Sequence, residues 1–363
     1  MSDKINIKVV VAPLDWGLGH ATRCIPLIKC LIALNCKVII AAKGPQEILL
    51  KREFPALSYF QLPGYGINYS ANKRFFPVKI LFQVPKILKA IKREKKWIER
   101  YATENNIDLI ISDNRYGLYH SAIPSVFITH QLLIKAPFSI TEKILQWCNY
   151  RLISKFTTCW VPDEKGDINL AGNLSHPAQM PGLPVQYIGG LSRLNRQTAV
   201  KKKYDVLIII SGPEPQRSIV EKKMIPQLSI FTGTALLVRG LPGDDKVLYV
   251  SENITVRNHL AAVELETAFN ESEYIISRSG YTTVMDICKL QKKAILVPTP
   301  GQTEQEYLAA HLAKQGWCLA ASQHNFSLSH ELQRAKNFTF SIPAFAMESY
   351  KDIVKEYIED LRK

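Results

Sequence analysis

Two apolar runs, each ending in a glycine turn that leads into a helix-period stretch, constrain this chain more than any other feature. The first covers residues 5–12 and is followed by Pro13-Leu14-Asp15-Trp16-Gly17-Leu18-Gly19-His20. Residues 21–34 then carry Ile25, Ile28, Leu31 and Ile32 at helical spacing. A strand that is apolar on both faces has to be covered on both, as in a parallel sheet with helices above and below. The second run, 206–210, leads into Ser211-Gly212-Pro213. Strand-like segments follow each run, at 37–42, 108–112, 125–129 and 158–161, then at 235–239, 254–257, 274–277 and 294–298. Helical stretches are expected over 282–289 and 304–315. The alternation predicts an α/β chain with two doubly wound, Rossmann-like units.

With 363 residues the chain exceeds what one core fills, since single cores stop growing near ~250–300 residues. The break is expected in 171–203, where Gly172, Pro177, Pro181, Gly182, Pro184, Gly189 and Gly190 precede Lys201-Lys202-Lys203. The expected organisation is therefore 1–190, 191–340 and a helix in 341–363 that packs back on the first domain. Two such domains would be expected to enclose a cleft. In open α/β sheets ligands bind outside the carboxyl ends of the strands, so the residues after each strand are the ones to weigh.

Charge separates the two halves. The net charge is +14; residues 1–190 hold 24 basic against 13 acidic residues, which is +11 and leaves +3 for the rest. An anionic partner is expected for the N-terminal half. The excess is densest between Lys73 and Arg100. There Phe75, Phe76, Val78, Ile80, Leu81 and Phe82 mix with Lys79, Lys86 and Lys89, and Lys92, Arg93, Lys95, Lys96 and Trp97 continue the run. This composition suits an interfacial amphipathic helix on an anionic membrane; it equally suits a packed helix with a solvated basic face. No nucleic-acid recognition motif accompanies the charge. No signal-peptide pattern and no window of ~18 apolar residues is present, so a cytoplasmic location is expected, with peripheral contact at the inner membrane face. Seven cysteines without a Cys-x-x-Cys pair read as reduced core thiols.

Several polar groups stand at strand ends. His20 opens a helix after Gly17 and Gly19, which let a backbone approach a ligand closely. It is either a helix-start residue or a general base, whose ordinary pKa suits proton removal near neutrality. Asp113, in Ser112-Asp113-Asn114, would orient His20 or bind an acceptor, and His130, in Thr129-His130-Gln131, would line an acceptor site. Either is also a common loop or capping residue. In the second half Ser211 and Gly212 form a small-residue turn, and Arg278-Ser279-Gly280 precedes a helix opened by Thr282. Ser279, Gly280 and the helix N–H groups would cradle a diphosphate, and Asp286, one turn in, would accept from a ribose diol. Glu304 and Gln305 at the next helix start suit sugar hydroxyls. A capped helix with solvated polar groups would show the same residues.

Most of the chain resembles GT-B fold glycosyltransferases of family 28, which includes the N-acetylglucosaminyltransferase of lipid II synthesis. Gly17-Leu18-Gly19-His20 resembles that family's N-domain glycine–histidine loop, and Arg278 through Asp286 with Glu304-Gln305-Glu306-Tyr307 its donor motif. The resemblance implies a UDP-sugar held in the C-terminal domain. Asp286 would meet the ribose, Glu304 and Gln305 the sugar, Ser279 and Gly280 the diphosphate, and His259 and Leu260 the uracil. It implies inverting transfer of a hexosyl or N-acetylhexosaminyl group to a lipid-linked hydroxyl, without an essential metal; no Asp-x-Asp motif is present. The chain departs from the pattern at Trp16 and Leu18, and in the sparse glycine of the loop after Ile210. The run Gly19-His20-Ala21-Thr22-Arg23-Cys24 also resembles nucleotide-sugar hydrolases of acidic-sugar synthesis. A hydrolase or epimerase on this fold, or a non-catalytic nucleotide-sugar binder, are the alternatives.

Overall fold

The structure, a computed structural model, describes residues 6–66, 76–136, 138–212, 214–246 and 248–363. The chain falls into two compact units, one reaching to Ser192 and resuming at Phe345–Lys363, the other Arg193–Ala344.

The first unit carries β1 (Lys8–Pro13), α1 (Gly19–Ala33), β2 (Lys37–Ala42), α2 (Pro45–Glu53), β3 (Ser58–Gln61) and α3 (Phe76–Asn105). It continues with β4 (Leu109–Asp113), β5 (Ser125–Ile128), α4 (Ser139–Ile153), β6 (Thr158–Val161) and β7 (Val185–Tyr187). The strands form one parallel sheet in the order β3-β2-β1-β4-β5-β6-β7. Val9 to Ala12 of β1 and Leu109 to Ile111 of β4 are buried, as strands covered on both faces must be. Register pairs Pro13 with Asp113, so the loop carrying His20 and the end of β4 leave the sheet at one edge.

Helix α3 resolves two ways of reading the basic segment over its described side chains. Ala90, Ile91, Glu94, Ile98 and Ala102 recur along one buried face, against Val10, Ile39, Ile110 and Leu118 for its later turns. Lys86, Lys89, Lys92, Arg93, Lys96 and Arg100 are exposed. From residue 86 on, it is a packed helix with a solvated basic face. Lys73, Arg74 and Phe75 lie outside the described residues, as do the side chains of Phe76, Val78, Lys79, Ile80, Leu81 and Phe82, so the reading of that part of the segment lies outside them too.

The second unit repeats the plan with β8 (Tyr204–Ile209), α5 (Gln216–Leu228), β9 (Ala235–Val238), β10 (Ile254–Arg257), α6 (Ala262–Glu271) and β11 (Ser272–Ser277). Then come α7 (Tyr281–Lys289), β12 (Lys293–Leu296), α8 (Thr303–Lys314), β13 (Leu319–Ala320) and α9 (Leu328–Lys336). Its parallel order is β10-β9-β8-β11-β12-β13. One face of this sheet packs Val206, Ile208, Ile276 and Ile295 against Val220 and Met224 of α5 and Leu328 and Leu332 of α9. The last helix, α10 (Tyr350–Arg362), belongs to the first unit, where Tyr357 meets Trp160 edge-on and Arg362 donates to the carbonyl of Leu34. The seven cysteines are all free; five are buried, Cys30 is half-buried and Cys148 is exposed on α4.

Two lysines share one pair of carbonyls at the opposite edge of the second sheet. Lys202 Nζ lies 2.8 and 3.2 Å from the oxygens of Asn270 and Ser272, and Lys292 Nζ lies 3.1 and 3.3 Å from the same two. Burial, and then the neighbouring Lys202, push the Lys292 amine down to about 7. An unfolded lysine titrates near ~10.4, so between about pH 7 and that value the unfolded chain binds more protons and stability rises with pH. Urea unfolding at pH 7 and pH 9 should show that rise, and Lys292→Met should remove most of it. An equal slope in both proteins would disprove the account.

Candidate active site

The turn between β1 and α1 positions the N-terminal cluster. Gly17 sits at φ +81°, where a side chain is disfavoured, and Gln46 of α2 donates to its carbonyl at 3.0 Å. Helix α1 starts without an acidic residue in its first turn. Its N-terminal N–H groups therefore face the loop without a carboxylate among them. Asp15 in the same loop accepts from the backbone N–H of Tyr65 at 3.0 Å and of Gly66 at 3.3 Å.

His20 and Asp113 meet at this edge. His20 Nδ1 lies 3.0 Å from Asp113 Oδ1; the imidazole is 15% exposed and the carboxylate fully buried. Arg23, one turn along α1, gives Nε to Asp113 Oδ2 at 2.7 Å and Nη2 to Oδ1. The Cys24 thiol donates to Oδ2 at 3.5 Å. Burial alone would raise the pKa of Asp113, but the charges of Arg23 and His20 hold it well below the usual carboxylate range. Burial, then Arg23, lower the His20 pKa against the opposing pull of Asp113. The imidazole is thus neutral at neutral pH. Arg23 Nη2 also approaches Nδ1, at 2.9 Å. In the tautomer with the proton on Nδ1, that proton goes to the Asp113 carboxylate, which only accepts, and Nε2 keeps its lone pair.

The two roles expected for Asp113 are orienting His20 or binding an acceptor; the structure places it fully buried with Oδ1 on His20 Nδ1. His130 is also buried and faces inward: its Nδ1 is 3.3 Å from Arg23 Nη1, so it stands behind the cluster rather than lining a surface. A polar residue after a strand gives no sign of which way its side chain turns.

A second buried network braces the same loops. Arg115 gives Nε to Glu94 Oε1 at 2.8 Å, Nη1 to Pro13 O at 3.2 Å and Nη2 to Pro63 O at 2.6 Å. Glu94 also accepts from Tyr65 Oη at 3.0 Å and Gly117 N at 3.1 Å. The β1 and β3 loops therefore hang on one guanidinium. Sequence reasoning missed Arg23 and this pair. For Arg23 the signal was its i+3 spacing from His20 on one helix face.

In the second unit, register pairs Ile209 with Ser277, so Ser211-Gly212 and Ser279-Gly280 emerge side by side. Arg278 is buried and donates to Val297 O at 3.0 Å, Pro298 O at 3.2 Å and Gln216 O at 3.4 Å, joining three loops. Burial pushes its pKa down to about 10. Ser279 is buried too; its hydroxyl donates to Gln305 O at 2.7 Å, while Gln305 Oε1 accepts from Thr299 N at 2.9 Å. The Ser279 side chain thus holds α8 against α7 and does not face outward. Gly280 has open space where a Cβ would stand, and α7 has no acidic residue in its first turn. Those two features leave an anion room at the helix N-terminus. Thr282 is half-buried in that turn, Asp286 lies one turn further and is mostly buried, and Glu304 is half-buried at the start of α8. His259 and Leu260 follow β10, the edge strand, with β9 and β8 between them and β11, so strand order does not bring them beside Ser279.

Residues 252–352 match the glycosyltransferase family 28 C-terminal domain. Over 139 residues the chain is 26% identical to the UDP-N-acetylglucosamine–N-acetylmuramyl-(pentapeptide) pyrophosphoryl-undecaprenol N-acetylglucosamine transferase of Haemophilus ducreyi. That match covers 37% of this chain and 39% of the relative, so the aligned part spans about two fifths of the curated protein. Among solved structures, MurG of Acinetobacter baumannii aligns over 98% of this chain and 99% of its own at 17% identity, with a TM-score of 0.53. The glycotransferase of kitacinnamycin aligns over 98% and 94% at 12% identity and TM-score 0.63. The spinosyn rhamnosyltransferase SpnG complexed with thymidine diphosphate aligns over 98% and 96% at 16% identity and TM-score 0.60. The fold is GT-B, as the resemblance implied, and its two parallel sheets are the two Rossmann-like units expected from the strand–turn–helix repeats.

Proposed function

We propose, from a chain that carries the family 28 C-terminal domain on a GT-B fold, that this protein transfers a sugar from a UDP-sugar to an acceptor hydroxyl with inversion. The observation that carries the reading is His20 Nδ1 held 3.0 Å from Asp113 Oδ1 beside the loop of Gly17 and Gly19. Nε2 takes the proton of the acceptor hydroxyl, which Gly17 and Gly19 let approach. The oxygen attacks the anomeric carbon, and the bond to the diphosphate oxygen breaks with its electrons leaving on UDP. The N-terminus of α7, with Gly280 and Thr282, meets the diphosphate charge as it grows, and Ser211-Gly212 stands next to it. Asp286 takes the ribose, Glu304 and Gln305 the sugar, and His259 and Leu260 the uracil. Charge stabilisation by these groups needs no metal, so EDTA should leave the rate unchanged.

Thermal shift against a panel of nucleotide sugars identifies the donor, because a ligand at 100 times its Kd stabilises the folded state by roughly 2.7 kcal/mol. That donor, supplied with hydroxyl acceptors, should yield UDP and glycosylated acceptor in equal amounts. Free sugar released at the same rate without acceptor would replace transfer by hydrolysis.

A lipid-linked acceptor, met at the inner face of the cytoplasmic membrane, is supported by α4. Ile140, Ile144 and Trp147 form an exposed apolar row at helical spacing, with Phe138 exposed just before it. Lys143, Arg151 and Lys155 are exposed around the row. Such a row, rimmed by cations, suits an anionic lipid surface. Among the described residues no helix is long and apolar enough to cross a membrane. The protein should pellet with anionic vesicles at low salt, and Ile144→Glu with Trp147→Glu should abolish pelleting. Retained pelleting in that double variant removes α4 from the interaction.

A further inference from the structure

Arg23 is a guanidinium with 2% of its surface exposed, inside the first unit and one turn from His20. Burying such a charge costs several kcal/mol unless its hydrogen-bonding capacity is used. Here it is used within one cluster: Nε and Nη2 grip the two oxygens of Asp113, Nη2 also lies 2.9 Å from His20 Nδ1, and Nη1 turns to His130. The two-point grip fixes the plane of the carboxylate and thereby which oxygen faces His20 Nδ1.

From this geometry we infer that Arg23 is a positioning residue for His20, fixing the Asp113 carboxylate and balancing its charge so that the imidazole stays an unprotonated base. The inference rests on the role proposed above for His20. A buried aspartate paired with histidine alone draws the imidazole toward its charged form, which has no lone pair to offer. With Arg23 the three groups sum to zero charge while the imidazole is neutral. The charged and titratable groups facing His20 are Arg23 of α1, Asp113 of β4 and His130 after β5, with the Cys24 thiol on Asp113. Burial adds to the effect of Arg23 in disfavouring imidazolium.

Histidine-labelled protein, with the His20 signals assigned from a His20→Gln variant, tests this by NMR without any sugar. In the native chain the 15N spectrum should show the Nδ1–H tautomer, titrating below the ordinary histidine range. In Arg23→Gln, which still donates to Asp113, His20 should titrate about one pH unit higher or more. Arg23→Lys keeps the charge but loses the planar fork, so its titration should stay near native while the single-tautomer pattern is lost. A folded Arg23→Gln protein whose His20 titrates as in the native chain overturns the inference. If that variant does not fold, a native tautomer pattern in Arg23→Lys overturns it instead. These readouts do not require transfer: shifted titration in a protein that transfers no sugar removes the proposed activity only, and unshifted titration in an active transferase removes the role of Arg23 only.

Discussion

His20→Ala is expected to lower turnover by about 10²–10⁴-fold at neutral pH, the range typical for loss of a positioned general base. Its melting temperature should change little, because the imidazole is partly exposed and its loss leaves Asp113 paired with Arg23. Donor affinity should also hold, since the residues assigned to the donor belong to the other unit. Asp113→Asn should behave differently. An asparagine amide turned toward Nδ1 donates, which moves the imidazole proton to Nε2 and points the base the wrong way. It also leaves the buried Arg23 without an anion, a loss of about 3–5 kcal/mol for a broken buried pair. His20→Ala should therefore lose activity alone, and Asp113→Asn both activity and stability. Turnover of His20→Ala within a few-fold of native would end the base assignment, and urea unfolding of the two variants separates the second effect from the first.

The part of this pair that was legible in the sequence was its placement. Both residues follow strands that read as continuous apolar runs, and parallel sheets put such ends on one edge. What stayed hidden was direction and depth. His130 follows its strand in the same way and yet turns inward to Arg23. Arg23 looks like any basic residue on a surface helix until the sheet edge closes over it. The strands divide along the same line. Residues 37–42, 158–161 and 254–257 were placed to the residue, because the apolar run and the strand coincide. β8 starts earlier than expected, at Tyr204, because the exposed Asp205 interrupts the apolar pattern while its carboxylate accepts from Thr234 N at 2.7 Å. β7 lies within the Pro/Gly-rich stretch expected as a linker; three residues at a sheet edge carry too little burial to leave a pattern. Helix α4 was not among the expected helices, and it turns Ile140, Ile144 and Trp147 outward.

The Glu94–Arg115 pair had no local signal at all, and it carries the second large expected effect. Arg115→Met should lower the stability of the first unit by about 3–5 kcal/mol, because it strands a buried carboxylate. Both side chains are almost without exposed surface, at 1% for Arg115 and 2% for Glu94. Burial already raises the Glu94 pKa, and the charge of Arg115 opposes that rise. Without Arg115 the carboxyl would be protonated in the folded state over a wider pH range than in the unfolded chain. A folded pKa above the unfolded value near ~4.3 means that stability is full below that pH and is lost as pH rises toward the folded pKa. The variant should therefore fall furthest behind the native chain near neutrality and least near pH 4. Glu94→Gln in the same chain removes the stranded charge while its amide oxygen still accepts from Tyr65 or Gly117, so the double variant should recover part of the loss. A double-mutant cycle in urea reads that coupling directly. A single-variant loss below about 1 kcal/mol, the range of an exposed pair, would show that the network does not hold these loops. The loops at stake are those of Pro13 and Pro63, which accept from the same guanidinium. Residual folded Arg115→Met enzyme should accordingly lose turnover through a misplaced His20 loop, while nucleotide-sugar binding by the second unit persists.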